Sequence, residues 1–255
     1  MTFLQVAEAA ARAAMEIQQR RPAEVHHKGR IDLVTEIDMA CEEAIRDILE
    51  PTGLPVLGEE GGGATHTDSR WIVDPLDGTT NFVHGFPSYG CSIALQLEGQ
   101  LIVGVIGDPI RDRLYTAVRG EGARCNDQPL RVTDCTDLEK ALVASGFAYD
   151  RRENADFYLS FVKAFLERAQ GFRRAGAAAL DLAMVACGQL DGFWEFNLSP
   201  WDVAAGALIV QEAGGMATDM LDAPLGLDSG RILATNGRIH DAMREVISPL
   251  LQSRI

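Results

Sequence analysis

Hydrophobic side chains near the N-terminus recur at the spacing of one helix face. Residues 2–20 are therefore predicted to form an amphipathic helix. A second helix is predicted over residues 38–49, where Pro51 stops it. Short apolar runs, separated by turn signals such as Glu98-Gly99, then predict a meander of three strands at 92–97, 101–106 and 113–118.

Beyond about residue 137 the pattern changes to strands that alternate with helices. Strands are predicted at 141–145, 192–196 and 232–235. Helices are predicted at 154–168, 178–187, 203–213 and 239–251. The fold class is therefore α+β in the first half and α/β in the second. We expect two sub-domains, residues 1–136 and residues 137–255.

The net charge of the chain is -14, from 23 basic and 37 acidic side chains. A field of that sign repels nucleic acid and anionic lipid, so neither is expected as a partner. It does not exclude a phosphate substrate. A phosphate site in this chain would need local positive charge from side chains, a metal ion or helix amides.

The five cysteines show no C-x-x-C spacing, and their number is odd. This pattern favours reduced thiols and a cytoplasmic location over a disulfide framework. Glu8 and Arg12 interrupt the first apolar run, so a signal peptide is not expected. No apolar run is long enough to predict a membrane helix.

The segment Asp74-Pro-Leu-Asp77-Gly-Thr-Thr-Asn81 follows a short apolar run that begins at Trp71. That run is predicted to be a buried strand ending at Asp74. The two aspartates and the Leu76 carbonyl are oxygen ligands of the kind that Mg²⁺ prefers. If a helix begins after Asp77, its first free amides would suit a phosphate. The alternative is a tight turn in which Asp77 caps a helix.

Three further acidic segments each have a simpler alternative explanation. Gly58-Glu59-Glu60-Gly61 follows an apolar stretch and is otherwise a solvated loop. Asp32-Leu-Val-Thr-Glu-Ile-Asp38 precedes the second helix, and Asp38 alone would be its cap. Asp202 stands before an almost wholly apolar helix, where it is either a plain N-cap or a buried acid that needs a partner such as a metal.

Other chemistries find little support in the chain. There is no G-x-S-x-G nucleophile elbow, no Walker A motif and no Rossmann glycine fingerprint. The histidines lack the H-E-x-x-H spacing of zinc enzymes. Asp77-Gly-Thr79 is faintly similar to the motif of aspartate-nucleophile phosphatases, but Pro75 occupies the position of the nucleophile. A phosphoaspartyl route is therefore disfavoured.

Taken together, these segments resemble the inositol monophosphatase family. Residues 71–82 are similar to its main signature and residues 201–215 to its second signature, while the segments ending at Asp38 and at Glu60 match its shorter motifs in order. The resemblance implies a layered αβαβα sandwich of the inositol monophosphatase and fructose-1,6-bisphosphatase type. It also implies a Mg²⁺-dependent phosphatase that is usually a homodimer.

The resemblance also implies a role for each matching residue. Two or three Mg²⁺ ions per subunit would be held by Glu59, Asp74, the Leu76 carbonyl, Asp77 and Asp202. The amides of Gly78 and Thr79 would hold the phosphate. Asp38 and the Thr79 hydroxyl would orient or deprotonate the attacking water, and Glu59 would assist catalysis near a third ion. Paired metal ions lower the pKa of bound water and neutralise the phosphate, so no covalent intermediate is required.

Substrate contacts are implied on the opposite wall of the site. Glu195 matches the family glutamate that accepts hydrogen bonds from ring hydroxyls. Arg174 and Ala178 lie in a stretch similar to bacterial members, although Ala177 replaces their usual serine and removes one hydroxyl. Ser199 stands where animal relatives often have histidine.

The resemblance favours inositol 1-phosphate and related polyol monophosphates as substrates, with inhibition by lithium. Fructose 1,6-bisphosphate, adenosine 3′,5′-bisphosphate and histidinol phosphate remain alternatives on the same scaffold. A regulatory protein that does not turn over substrate is a further alternative. The complete set of site carboxylates argues against a dead enzyme but does not exclude a second, binding role.

Overall fold

The computed structural model describes residues 1–20, 22, 25–27, 29, 33–63, 67–221 and 223–252. Asp32, the first residue of one acidic segment, lies outside the described residues. The helices are α1 (Phe3–Ile17), α2 (Glu36–Leu49), α3 (Thr79–His84), α4 (Ala155–Leu166), α5 (Ala178–Ala186), α6 (Pro200–Glu212) and α7 (His240–Gln252).

The strands are β1 (Val25–His27), β2 (Leu33–Thr35), β3 (Val56–Gly58), β4 (Gly62–Gly63), β5 (Arg70–Asp77), β6 (Gly90–Leu97), β7 (Gln100–Asp108), β8 (Arg113–Val118), β9 (Gly122–Cys125), β10 (Gln128–Pro129), β11 (Leu142–Ser145), β12 (Gly171–Arg173), β13 (Gly192–Phe196), β14 (Met216–Thr218) and β15 (Arg231–Thr235). The strands β1 and β2 form a small antiparallel pair.

Two large sheets organise the molecule. The first has eight strands in the order β10-β9-β8-β7-β6-β5-β3-β4, and only β3 and β5 run parallel. The second has five strands in the order β12-β11-β13-β15-β14, in which β11 runs parallel to both neighbours. Long strands at the centre of the first sheet are buried on both faces, as the continuous apolar run from Trp71 to Val73 requires.

Helices cover both sheets and separate them. The apolar faces of α1 and α2 pack on one face of the first sheet, against β5, β6 and β7. On its other face lie α5 and α6, and α6 also touches β14 and β15 of the second sheet. The outer face of the second sheet is covered by α4 and α7. The order of layers is therefore αβαβα, which confirms the predicted fold class.

The middle layer explains why α6 is apolar on every side. Its residues from Val203 to Val210 are all buried, because one face meets the first sheet and another meets α5 and the second sheet. The approach is close enough that a Cβ atom at Gly104 of β7 would lie 2.8 Å from the Ala205 carbonyl oxygen. α6 also contacts β6 and β5, the strand that carries the acidic signature.

Two helices begin earlier than the apolar pattern predicts. Their predicted starts were residues 38 and 203, but α2 begins at Glu36 and α6 at Pro200. Thr35 and Ser199 are the N-cap residues, so the aspartate of each segment is the third residue of its helix. Among the residues that the structure describes, no helix has the length and apolar character needed to cross a bilayer.

Candidate active site

Asp74 and Asp77, the two aspartates of the main signature, lie at the end of β5, where the pairing of β5 with β6 becomes irregular. The register shifts between Asp74 and Asp77, and this bulge accommodates Pro75, which has no N–H to donate. The strand therefore continues past its predicted end at Asp74 to Asp77. Within the bulge the Leu76 N–H donates to Asp74 Oδ1 at 2.9 Å, and Nε2 of Gln18, the residue after α1, donates to the Pro75 carbonyl at 2.8 Å.

Asp202 reaches this strand through the strand next to it. Asp74 pairs across the sheet with Ser92, and the Ser92 hydroxyl donates to the Trp201 carbonyl at 2.9 Å. Asp202 is the next residue along α6, and its Oδ2 accepts the Ser199 N–H at 2.6 Å. The side chain stays partly exposed because it lines the cavity described below.

Glu59 follows β3, the parallel neighbour of β5. The Glu59 N–H donates to the Val73 carbonyl at 3.2 Å, directly before Asp74. Parallel strands end at the same edge of a sheet, so the loop after β3 and the bulge of β5 lie side by side. A simple solvated loop therefore does not describe the Glu59 segment fully, because the backbone of Glu59 is hydrogen-bonded to β5.

The acidic groups interact through their charges. Burial raises the pKa of Asp74 well above its usual value, and repulsion by Glu59, Asp77 and Asp202 adds to the rise. Burial also raises the pKa of Asp202, with Asp77 as the next cause. The pKa of Asp77 is raised to about 6 by burial, although backbone N–H donors of α5 lower it. Carboxylates that repel one another in this way are stabilised when they bind protons or when a cation lies between them.

Asp38 and Thr79 form a separate hydrogen-bonded pair beside these carboxylates. The Thr79 hydroxyl lies 3.0 Å from Asp38 Oδ1 and 3.1 Å from the Leu76 carbonyl, so it can donate to either acceptor. Asp38 Oδ2 accepts both the N–H and the hydroxyl of Thr35, at 2.8 and 2.6 Å. Burial raises the pKa of Asp38, while these donors lower it. Asp38 is therefore held rigidly at the start of α2 and is more than a plain cap.

Gly78 connects β5 to α3, which begins at Thr79, so a helix does follow Asp77. Its φ of 88° is in the left-handed region, and a Cβ atom there would lie 2.9 Å from the Ser88 carbonyl oxygen. Asn81 Nδ2 donates to the carbonyls of Ser88 and Ala175, at 2.6 and 2.9 Å. The signature turn is thus tied to the segment that is predicted to contact the substrate.

Asp77 does cap a helix, but that helix is α5 rather than the one that follows it. Its Oδ2 accepts the Ala179 N–H at 2.8 Å, from a residue 102 positions further along the chain. Ala177 is the N-cap residue of α5 and offers no side-chain acceptor, so the Asp77 carboxylate takes that place. This contact also brings Ala178, a predicted substrate residue, to the site.

A cavity of about 150 Å³ opens beside these residues. Its lining contains residues predicted for phosphate, metal and substrate contacts, namely Asp77, Gly78, Thr79, Arg174, Ala178, Glu195 and Asp202. Asp38, Asp74 and Leu76 are buried behind that lining, each about 1% exposed. The structure therefore brings residues of three acidic segments to one opening, together with the opposite wall, and the charge of Glu59 from the fourth segment acts on Asp74 and Asp202.

Glu195 lies on β13 in that opposite wall and is 9% exposed. Burial raises its pKa to about 8, and Asp181 is the next cause. A Cβ atom at Gly146 would lie 2.0 Å from Glu195 Oε1, so the glycine after β11 makes room for this carboxyl group. Glu195 is therefore a buried residue of the cavity and not a surface glutamate at the end of a strand.

Two residues of this wall were not predicted from the sequence. Arg151 and Tyr149 line the cavity from the loop after β11, and the Arg151 guanidinium lies 5.9 Å from the centre of the Tyr149 ring. The signal was present, because ligands bind at the carboxyl ends of parallel strands and β11 is such a strand. Asp181 of α5 was not predicted either; it does not line the cavity, but its charge helps to raise the pKa of Glu195, and neither of its buried carboxyl oxygens has a hydrogen-bond partner among the described residues.

The donor chemistry of the site fits a hard divalent cation, since its ligands are carboxylates and a backbone carbonyl. Among the described residues, no three Asp, Glu, His or Cys side chains are already assembled as a finished metal cluster. Asp74, Asp77 and Asp202 instead each accept a hydrogen bond from a backbone N–H. The mutual repulsion that raises their pKa values is what a cation would relieve.

Comparison with known proteins agrees with this geometry. The model of the inositol monophosphatase family matches residues 1–253. The chain is 41% identical to an inositol-1-monophosphatase of Synechocystis, over 97% of this chain and 89% of that protein. It is 43% identical to a Nus factor SuhB of Pseudomonas aeruginosa, over 98% of this chain and 97% of that protein.

A solved structure of an inositol monophosphatase from Anabaena superposes with a TM-score of 0.88 at 42% identity. That likeness covers 97% of this chain and 95% of the other. The family match, the sequence identity and the shared fold all extend over nearly the whole chain. The chain therefore belongs to the inositol monophosphatase family of metal-dependent phosphoric monoester hydrolases.

Proposed function

We propose that this chain is a Mg²⁺-dependent phosphomonoesterase that hydrolyses inositol 1-phosphate and related polyol monophosphates. The observation that carries the proposal is the group of mutually repelling carboxylates, Asp74, Asp77 and Asp202, at one end of the cavity. Opposite them the cavity offers Glu195 and Arg174, which suit hydroxyl groups and negative charge respectively.

In the proposed mechanism the metal site consists of Glu59, Asp74, the Leu76 carbonyl, Asp77 and Asp202. Bound Mg²⁺ would neutralise the phosphate and lower the pKa of a reacting water. The amides of Gly78 and Thr79 would hold the phosphate oxygens, since these residues line the cavity at the start of α3.

Asp38 would orient the attacking water and accept its proton. Its Oδ2 is already saturated by two donors from Thr35, so Oδ1 is the oxygen available for this role. The Thr79 hydroxyl can turn away from Asp38 Oδ1 toward the Leu76 carbonyl, because both lie within hydrogen-bond distance. A water can then donate to the vacated oxygen.

The test is a phosphate-release panel with the purified protein. Inositol 1-phosphate, glycerol 2-phosphate, fructose 1,6-bisphosphate, adenosine 3′,5′-bisphosphate and histidinol phosphate are compared with Mg²⁺ and with excess EDTA. We expect release from inositol 1-phosphate at the highest kcat/KM, and only with Mg²⁺. Full activity in EDTA would refute the metal dependence. A higher kcat/KM for another compound of the panel would identify that compound, and not inositol 1-phosphate, as the preferred substrate.

The family membership supports finer expectations that we include in the proposal. These are two or three Mg²⁺ ions per subunit, a homodimer, a cytoplasmic location and inhibition by lithium. Li⁺ carries half the charge of Mg²⁺, so at the site formed by Asp74, Asp77 and Asp202 it would stabilise the leaving alkoxide poorly and would trap product phosphate. Inhibition is expected to be uncompetitive or noncompetitive in initial-rate measurements, with NaCl as the ionic-strength control.

A second candidate function comes from relatives that carry the name Nus factor SuhB, such as the Pseudomonas aeruginosa protein. A role in which the protein binds a partner without turning over substrate would be compatible with an intact catalytic site. A variant without catalytic carboxylates separates the two roles. If cells that lack the native gene are rescued by D202N as well as by the wild type, the binding role is the essential one.

A further inference from the structure

The loop that carries Glu59 is held by a carboxylate that belongs to none of the predicted motifs. Glu42 lies on α2, four residues after Asp38, and is 3% exposed. Residues four apart on a helix share one face, so Glu42 and Asp38 project from the same side of α2. The position of Glu42 is thus fixed relative to that of Asp38.

Both oxygens of Glu42 accept hydrogen bonds from successive amides of the loop. Oε2 accepts the Glu60 N–H at 2.8 Å, and Oε1 accepts the Gly61 N–H at 2.8 Å. The preceding amide, that of Glu59, donates to the Val73 carbonyl of β5 at 3.2 Å. Three successive amides are therefore held, one by the signature strand and two by α2.

Arg46 completes the arrangement from the next turn of α2. Its Nε donates to Glu42 Oε1 at 2.7 Å, and its Nη2 donates to the Gly62 carbonyl at 2.8 Å. The ion pair is shielded, because the Glu42 side chain is only 4% exposed and the Arg46 side chain 23%. Charge-assisted hydrogen bonds of this kind are short and directional, so they restrict the loop more than a solvated glutamate would.

The glycines of the loop leave the space that the Glu42 carboxylate occupies. A Cβ atom at Gly58 would lie 2.3 Å from Glu42 Oε1, and one at Gly61 would lie 2.5 Å from the same atom. Neither glycine has a positive φ, so conformational freedom does not explain them. The Gly58-Glu59-Glu60-Gly61 segment is shaped to accept this carboxylate.

We propose that Glu42 is a positioning residue that sets Glu59 relative to Asp38 and Asp74, and so tunes the metal affinity of the site. The proposal rests on the proposed function, in which Glu59 is a metal ligand. Its physical reason is that a ligand on a loop binds a cation well only if the loop is ordered before binding.

The test uses E42Q, which keeps the size of the side chain but removes its charge and one acceptor. In the metal-free protein, the amides of Glu60 and Gly61 are expected to exchange hydrogen faster than in the wild type. By titration calorimetry the Kd for Mg²⁺ is expected to rise about tenfold. At saturating Mg²⁺, kcat is expected to stay within about twofold of the wild type, since Glu42 takes no part in the reaction.

D108N is the matched control. Asp108, at the end of β7, is 1% exposed and accepts the N–H groups of Ile110 and Arg111, each at 3.1 Å. It also pairs with the Arg111 guanidinium at 2.8 Å, so it holds a turn as Glu42 does. That turn carries no residue assigned to the site. We expect D108N to lower Tm without changing the Kd for Mg²⁺.

R46Q provides a second variant in case E42Q does not fold. It leaves the Glu42 carboxylate in place and removes its outer partner, so a smaller weakening of Mg²⁺ binding is expected. Wild-type Mg²⁺ affinity in E42Q, or equal weakening in D108N, would overturn the proposal. A wild-type protein that binds no Mg²⁺ would instead overturn the proposed function, and faster exchange in E42Q would then still show that Glu42 holds the loop.

Discussion

The helices α2 and α6 start in the same way and serve the site differently. Each has an aspartate as its third residue, and each aspartate accepts the N–H of its N-cap residue. The distances are 2.8 Å from Thr35 to Asp38 and 2.6 Å from Ser199 to Asp202. Beyond this shared cap, α2 is amphipathic and covers one outer face, whereas α6 is apolar and buried between the two sheets.

The surroundings of the two aspartates explain the difference. Asp38 accepts hydrogen bonds on both oxygens, from Thr35 and from Thr79. Asp202 accepts the Ser199 N–H on Oδ2, and the described residues place no donor on Oδ1, while neighbouring carboxylates repel it. A carboxylate that is surrounded by hydroxyls is suited to handling a proton, whereas one that faces other carboxylates is suited to a cation. The same local motif therefore supports two chemical roles.

The largest effect is expected from D202N, which tests the cation role of α6. Loss of one charged ligand should reduce kcat/KM by about 10³-fold, equivalent to about 4 kcal/mol of transition-state stabilisation. The Kd for Mg²⁺, measured by calorimetry, should rise in parallel. A variant that binds Mg²⁺ like the wild type would show that Asp202 is not a ligand and would remove the contrast with α2.

D38N tests the proton role of α2 and should have the next largest effect. We expect kcat to fall by about 10²-fold, because a positioned base contributes at least that much. The Kd for Mg²⁺ should change by less than about threefold, in contrast to D202N. If D38N weakens Mg²⁺ binding as strongly as D202N does, the two helices share one role.

E195Q tests the wall of the cavity that neither helix supplies. Because the pKa of Glu195 is raised to about 8, the free enzyme holds this group neutral below that pH and ionised above it. At pH 6.5 glutamine should be a near-isostere, and discrimination among polyol phosphates should change little. At pH 9 it should change about tenfold, equivalent to about 1.4 kcal/mol. Equal effects at both pH values would contradict the raised pKa.

In the metal-free protein, D202N and D38N should shift the melting temperature in opposite directions. D202N removes a charge that the buried carboxylates Asp74 and Asp77 repel, and should raise Tm by a few degrees. D38N replaces one acceptor oxygen by an NH₂ group that faces the donors of Thr35 or Thr79, and should lower Tm by a few degrees. Differential scanning calorimetry in EDTA measures both. Shifts of the same sign would show that the surroundings of the two carboxylates do not differ in the proposed way.

A further prediction concerns the dependence of metal-free stability on pH. In the folded protein the pKa of Asp77 is raised to about 6 and that of Glu195 to about 8. Between the ordinary and the raised pKa, the folded protein therefore keeps protons that the unfolded chain has released. Stability should therefore fall as pH rises from about 4 to 8, by about 1.4 kcal/mol per pH unit for each retained proton. Calorimetry at pH 5, 6.5 and 8 tests this, and Mg²⁺ should flatten the slope. Stability that rises over this range in EDTA would contradict it.

Much of the fold could be predicted from periodicity. The meander of β6, β7 and β8 and the helices α1, α4, α5 and α7 lie close to their predicted positions, because each has one continuous apolar face or run. The starts of α2 and α6 were predicted less well, since apolar periodicity does not identify the cap. The pattern T-x-x-D at Thr35 and S-x-x-D at Ser199 was the available signal for both starts.

The sequence by itself determined the longer helices and the central strands of both sheets, which acids stand beside them, and to which family the chain belongs. Only the tertiary structure decided that Asp77 caps α5 across 102 residues and that Glu42 holds the loop of Glu59. The same is true of Arg151, which reaches the cavity from the loop after β11. The physical reason is that a local pattern shows which face of an element is buried. The partner of that face, and the polar groups that meet there, depend on how distant layers pack.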